Sequence, residues 1–295
     1  MIDLHTHSIY SDGKYSACEL LRLANEVGLS MLSITDHNAI GAYFELMDKC
    51  PENVFGGKIV TGVEYTTTFR GEVIEVLGYG FDVLKMKELM SGRVLTFEEK
   101  QKAEYKLIYD QYRRAGVVFD ENNVVYDPKK GSSRGAFWKE ILKYPENRKL
   151  FLNERSLLTW GIFSRQELYN PKSPLYVDES SLFLSLNDTI DLIHKCGGRA
   201  FLAHLYGYSE SIPAQIEELL DECELDGMEC VYPSFSQEKR EYISFLCQKR
   251  GLLISGGTDF HGMKPEHKIG VHTGDFKVDE SVVGDWINEL DSFEF

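Results

Sequence analysis

Apolar residues along this 295-residue chain recur at two spacings. Ile2-Asp3-Leu4-His5-Thr6-His7 has a period of two, which predicts a short strand. Ser16 and Glu19 then read as a capping box. Leu20, Leu23, Ala24 and Val27 follow at helical spacing, up to a natural stop at Gly28. Further strands are predicted at 31–34, at 59–64 and at 73–77 before Gly78. A second stretch repeats the rhythm. A helix over 187–196 is closed by Gly197-Gly198, and a strand over 199–203 follows. A helix near 212–223 leads to a strand at 227–231, and a helix over 236–250, stopped by Gly251, leads to a strand at 252–255. Strands alternating with helices of this length predict an α/β fold with a largely parallel sheet.

Between residues 85 and 178 the rhythm breaks. A charged helix is predicted over 97–115, ending at Gly116, with further helices over 132–144 and 147–160. Asn170-Pro-Lys-Ser-Pro174 reads as a loop. The expected division is therefore a body made of 1–84 and 179–295, with 85–178 as a mainly helical insertion.

Composition narrows the picture. A hydrophobic content of 43% is ample for a core, and no run approaches the roughly 18 apolar residues of a membrane span. No basic segment precedes an apolar one at the N-terminus, so no signal peptide is expected. The six cysteines are scattered without a C-x-x-C pair. They are expected to be reduced, buried thiols of a cytoplasmic protein, forming neither disulfides nor a zinc ribbon. The net charge of −15 argues against tight binding to a long nucleic-acid duplex. It divides into +5 over residues 85–178 and −20 elsewhere, so an acidic body carries a mildly basic middle segment.

The chemistry-bearing residues gather at the ends of the apolar runs: His5-Thr-His7, Ser-Asp12-Gly, Thr-Asp36-His37, Gly-Val-Glu64, Ala-His204 and Thr-Asp259-Phe-His261. Five of the eight histidines lie in these clusters. Imidazole and carboxylate together suit divalent zinc, manganese or iron. On a strand, residues i and i+2 share a face about 6.6 Å apart, so His5 and His7 can converge on one ion, as can Asp259 and His261. Asp12 is a turn carboxylate or a ligand. Asp36 is a loop cap or the carboxylate that orients an imidazole. Glu64 ends an apolar strand, where a carboxylate without a cation would be costly. With functional residues at so many strand ends, a closed (β/α) barrel is expected, its site on the C-terminal face. His194 sits within a helix, and His267 and His272 lie in a C-terminal loop without partner clusters. No G-x-S-x-G, Walker or G-x-G-x-x-G pattern occurs.

These motifs, in order over residues 1–82 and 185–262, resemble those of the PHP (polymerase and histidinol phosphatase) family. The resemblance implies a distorted (β/α)7 barrel and a trinuclear metal site that hydrolyses phosphoesters. It implies His5, His7, Glu64 and Asp259 on one metal, Glu64 and His204 on a second, and Asp12, His37 and His261 on a third. Asp36, His204 and His261 are expected in catalysis. The family usually has histidine at position 75, where this chain has Glu75. Glutamate still ligates divalent cations and makes the site more oxygen-rich, favouring manganese or magnesium over zinc. Leu205 stands where proline commonly follows the histidine.

The length of the insertion and Ser132-Ser-Arg134-Gly-Ala-Phe137 resemble the branch of the family that acts on nucleotides and short RNA ends. Arg134 would then grip a substrate phosphate. The expectation is a phosphoesterase with two or three divalent ions, whose metal-bridged hydroxide attacks a small nucleotide or short oligonucleotide. Another phosphate monoester (histidinol phosphate or a sugar phosphate) and a non-catalytic metal-binding module are the alternatives.

Overall fold

The computed structural model describes residues 1–125, 133–263, 267–271 and 276–295. Ser132 of the arginine motif and His272 lie outside them. Seven strands pair in chain order: β1 (Ile2–Asp3), β2 (Met31–Ile34), β3 (Lys58–Phe69), β4 (Glu72–Tyr79), β5 (Arg199–Leu202), β6 (Gly227–Val231) and β7 (Leu253–Gly256). Pairing is parallel from β1 to β3 and from β5 to β7. β4 runs antiparallel to both of its neighbours. The cause is a two-residue hairpin, in which Phe69 pairs with Glu72 and the intervening Arg70 and Gly71 take positive φ of 51° and 82°. Such a turn matches the twist of the strands it joins.

The sheet has the strand order of a barrel, but it is not closed, which corrects the closed ring expected from the strand ends. Among the described residues, β7 and β1 are joined only by the isolated Thr6–Phe260 bridge with a few backbone bonds, such as His7 N–H to the Phe260 carbonyl at 2.9 Å. β1 is two residues long, not six. The buried Asp3 carboxylate accepts from the Thr258 N–H (2.9 Å) and hydroxyl (2.6 Å). That N–H is therefore not available to a ladder.

Alternation along the strands divides the apolar residues between two layers. One set, including Ile2, Leu4, Val60, Leu77 and Phe201, points to the inside of the curled sheet, where Trp286 and Ile287 join it. The other, including Ile34, Val63, Ile74 and Val76, meets the outer helices. Helix Val83–Met90, which straddles residue 85, packs on this outer core through Val83 and Met86. A separate core forms beyond it, where Ile108 and Tyr112 of helix Phe97–Arg114 meet Phe137 and Ile141 of helix Ser133–Ile141, Phe163 and Leu175.

Three local expectations need correction. The helix expected over 147–160 is two 3-10 turns, Pro145–Leu150 and Glu154–Leu157. Between them the Leu152 and Asn153 N–H groups bond to the buried Glu167 carboxylate instead of to a helical carbonyl. The helix near 212–223 is split into Ser211–Ala214 and Ile216–Glu222. Helices Ala17–Glu26 and Gly41–Lys49 pack together, bringing Cys18 and Cys50 to a Cα separation of 5.5 Å, where they form a disulfide rather than remaining free thiols. No described helix is long and apolar enough to cross a membrane.

Candidate metal centre

Four of the parallel strands release site residues beyond their C-terminal ends: His5 and His7 after β1, Asp36 and His37 after β2, His204 after β5 and Asp259 after β7. Glu64 comes from within β3 and Glu75 from the antiparallel β4. Asp259 sits at φ 54°, a left-handed conformation that costs an aspartate about 1 kcal/mol and concentrates at functional sites.

The side chains meet at three foci. At the first, Glu64 Oε2 lies 3.3 Å from His5 Nε2 and 3.4 Å from His7 Nε2, while Asp259 Oδ1 lies 3.4 and 3.0 Å from the same nitrogens. At the second, His204 Nε2 is 3.0 Å from Glu64 Oε1 and 3.2 Å from Glu75 Oε2. His37 Nδ1 approaches there too, at 3.2 Å from Glu64 and 3.4 Å from Glu75. At the third, Asp12 Oδ1 lies 3.1 Å from His261 Nε2 and 3.8 Å from His37 Nε2. Glu64 is shared by the first two foci, and His37 presents one nitrogen to the second and the other to the third. His194 is elsewhere, paired with Asp226 at 2.7 Å.

His5 Nε2, His7 Nε2, His37 Nδ1 and Glu64 Oε2 are all buried without a hydrogen-bond partner. A folded chain rarely buries several such atoms together, and a divalent cation would satisfy them at once. Seven of the nine residues, His5, His7, Asp12, His37, Glu64, Glu75 and His261, fall in donor groups dense enough to hold such ions, and Asp259 and His204 lie beside them. Charge follows the same logic. Burial penalises both carboxylates, yet the imidazoles around Glu64 and Asp259 hold them ionised, well below the usual carboxylate range. Burial also opposes protonation of His5, but Glu64, Glu229 and Asp259 outweigh it and raise its pKa. His7 is lowered by burial and by the neighbouring His37 and His261, which leaves its lone pair available.

A cavity of about 710 Å³ is lined by residues of the cluster together with Lys100, Arg134, Arg165 and Tyr169 of the middle segment. Arg134 therefore faces the site, but its guanidinium is already engaged. Nε donates to Glu179 Oε1 at 3.2 Å, and Nη2 donates to Glu104 Oε1 at 2.6 Å and to Glu179 Oε2.

Sequence reasoning missed the residues that hold the cluster in place. Glu229, fully buried on β6, accepts from His5 Nδ1 at 2.9 Å and from the His204 N–H at 2.8 Å. Its signal was present, since Gly-Met-Glu-Cys-Val is an apolar strand interrupted by a carboxylate, like the run holding Glu64. Tyr232 donates to Asp259 Oδ2 at 2.8 Å. Asp36 orients no imidazole directly. It accepts from the Ser8 N–H (2.7 Å), the Ser8 hydroxyl (2.6 Å) and the Ser11 hydroxyl (2.7 Å), so it orders the loop that carries Asp12.

A cluster of candidate metal ligands at the C-terminal edge of a seven-stranded α/β sheet points to a class of metal-dependent hydrolase. Residues 3–231, well over half of the chain, match the PHP domain, and the protein belongs to the PHP family. It is a metal-dependent phosphoesterase. Two relatives carry activities in their names. A 5′-3′ exoribonuclease of Haemophilus influenzae is 28% identical over 88% of this chain and 89% of its own. A 3′,5′-nucleoside bisphosphate phosphatase of Chromobacterium violaceum is 24% identical over 88% and 87%. Among solved structures, an amidohydrolase from Chromobacterium violaceum with bound sulfate and no metal shares the fold, with a TM-score of 0.64 at 20% identity over 97% of this chain and 95% of its own.

Proposed function

We propose that the chain hydrolyses a phosphoester at the end of a nucleotide or short oligonucleotide. His5, His7, Asp12, His37, Glu64, Glu75, His204, Asp259 and His261 would hold two or three divalent ions, manganese, zinc or iron. The observation that carries this reading is the convergence of unpartnered buried nitrogens and a carboxylate oxygen beneath a cavity large enough for a nucleotide. The names of the two relatives support the substrate class. The net charge of −20 outside residues 85–178 disfavours a long duplex, which needs a continuous basic track, and the setting we assign is the cytoplasm. We read the segment between about residues 85 and 178 as a cap over the site.

Bound divalent ions supply Lewis acidity and an activated water to phosphoryl transfer. The chain's own part is placement. Glu64 ties the first two foci together, and Glu75 turns the second toward oxygen ligands. Glu229 fixes the ring of His5, and Asp36 acts as a positioning residue through Ser8 and Ser11. His204 and His261 line the cavity and would contact the substrate's reacting oxygens.

The test is release of product from an aryl phosphate, a nucleoside bisphosphate and a short 5′-phosphorylated RNA, with manganese present and after chelation. Nucleotide or RNA turnover that is lost on chelation, with one ¹⁸O from labelled water in the phosphoryl product, is the expected result. A trapped phosphoenzyme overturns the water mechanism. A strong preference for histidinol phosphate over every nucleotide overturns the substrate assignment.

A further inference from the structure

Three cations of the middle segment line the cavity together with the metal cluster, and they are not equivalent. Arg134 is bound by Glu104 and Glu179. Lys100 lies 3.7 Å from Glu104 and over the ring of Phe183. These two cations and two buried carboxylates cancel. Arg165 is exposed and, among the described residues, has no acidic partner.

The position of Arg165 is built rather than incidental. It lies in a π-helical turn, Ser164–Leu168, a rare conformation concentrated at functional sites. The turn is anchored by Glu167, a fully buried carboxylate with four donors: the Leu152 and Asn153 N–H groups (3.2 Å each) and the hydroxyls of Ser156 (2.8 Å) and Ser173 (2.6 Å). This turn sets Ser164, Arg165 and Tyr169 along the cavity wall.

Arg165 also borders a second groove of about 170 Å³, lined by Asn153, Arg155, Ile162 and Gln166. The two spaces meet at this one residue. Arg155 is likewise exposed without an acidic partner among the described residues. A guanidinium with free donors is suited to a phosphate, and here one of them borders both the site cavity and the second groove while the other borders the second groove.

We propose that Arg165 and Arg155 form a track for the single-stranded part of an oligonucleotide substrate. Arg165 holds the phosphate next to the scissile one, and Arg155 holds the phosphate after it. This rests on the phosphoesterase reading above and extends it from the end of a nucleotide to the strand that follows. Arg134 is then a structural brace of the cap, and phosphate recognition passes to a different arginine.

The experiment compares unaltered protein with Arg165→Ala, Arg165→Lys and Arg155→Ala on an aryl phosphate, a nucleoside 3′,5′-bisphosphate and a 5′-phosphorylated pentanucleotide RNA. Arg165→Ala is expected to raise KM about 10- to 100-fold for the bisphosphate and the RNA, the range for one charged hydrogen-bonded contact. The aryl phosphate should change by less than about twofold, and Arg165→Lys should recover part of the loss. Arg155→Ala should affect the RNA alone. On the RNA, each alanine variant should flatten the dependence of log(kcat/KM) on log salt by about 0.7, the slope for one phosphate of a single strand. Equal losses on the aryl phosphate and the RNA, or an unchanged KM and salt slope on the RNA, overturn the track while leaving the phosphoesterase reading intact. Unaltered protein that cleaves the aryl phosphate and no nucleotide overturns the substrate reading instead.

Discussion

Glu229 offers the sharpest test of how the metal centre is held. Its carboxylate touches no focus directly, yet it accepts from the ring of His5 and from the backbone of His204. Removing it as Glu229→Ala takes away both bonds and frees His5 to rotate. Glu229→Gln keeps an oxygen for the His204 N–H and loses the charge that favours Nδ1–H on His5, and with it the tautomer whose Nε2 lone pair faces Glu64 and Asp259. Partners of this kind are worth about 10- to 100-fold in metal affinity, or about 1.4–2.8 kcal/mol. The glutamine variant should fall near the lower end and the alanine variant near the upper. Competition with a calibrated chelator measures the affinity. Denaturant unfolding of the metal-free protein separates it from folding, and elemental analysis counts the ions. Loss of affinity should precede loss of stoichiometry as chelator is raised. Metal affinity unchanged within about twofold in a folded Glu229→Ala protein would refute the claim that this residue orients His5.

The remaining predictions concern other layers of the same architecture. Arg134→Ala leaves Glu104 and Glu179 buried with only Lys100 nearby, so it should destabilise the protein by about 3–5 kcal/mol in urea unfolding. Normal stability with a selective KM defect would return Arg134 to substrate binding. Glu75→Ala should lower metal content by about one ion per chain and Glu75→His should restore it with zinc preferred, whereas unchanged stoichiometry in the alanine variant would remove Glu75 from the ligands. Gly257→Ala introduces a Cβ 2.4 Å from His5 Cβ and 2.5 Å from its nitrogen. It should cost about 1–3 kcal/mol of stability and weaken metal binding although no donor is removed; wild-type behaviour in both assays would show that the backbone accommodates it. His5→Ala and Asp259→Ala should each abolish turnover in a folded protein, as judged by circular dichroism and phosphate release.

How much of this could be read beforehand depended on whether a signal was local. The clustered donors were legible because strand alternation places i and i+2 together, and the structure brings all nine to one place. Glu229 was overlooked although it sits in the same kind of apolar run as Glu64, because Glu64 belongs to a Gly-Val-Glu motif of the family and Glu229 to none of the motifs recognised. The antiparallel β4 was hidden by its turn, since Arg-Gly lacks the Asn-Gly or Asp-Gly signature of a tight hairpin. The lost helix at 147–160 and the Cys18–Cys50 pair share a different cause. Glu167 reaches back about 15 residues to take the N–H groups of Leu152 and Asn153, and the two cysteines are 32 apart. Pattern within a short window cannot register either event. Arg134 was singled out as a grip for substrate phosphate, but its carboxylate partners lie 30 and 45 residues away, and without them it looked free.

The β3–β4 hairpin also bears on how the protein is made. Glu64 and Glu75 come from its two strands, with Thr66 opposite Glu75 and Leu77 opposite Glu64. A slip of one residue would turn a whole strand's side chains to the other face, sending one of the two carboxylates into the apolar layer against the outer helices. The register set across the Arg70-Gly71 turn is the one that puts both carboxylates on the site face, so an ion held by the two of them binds this register and not the slipped one. Metal would then act as a check on strand alignment, drawing a misregistered hairpin toward the correct pairing by mass action.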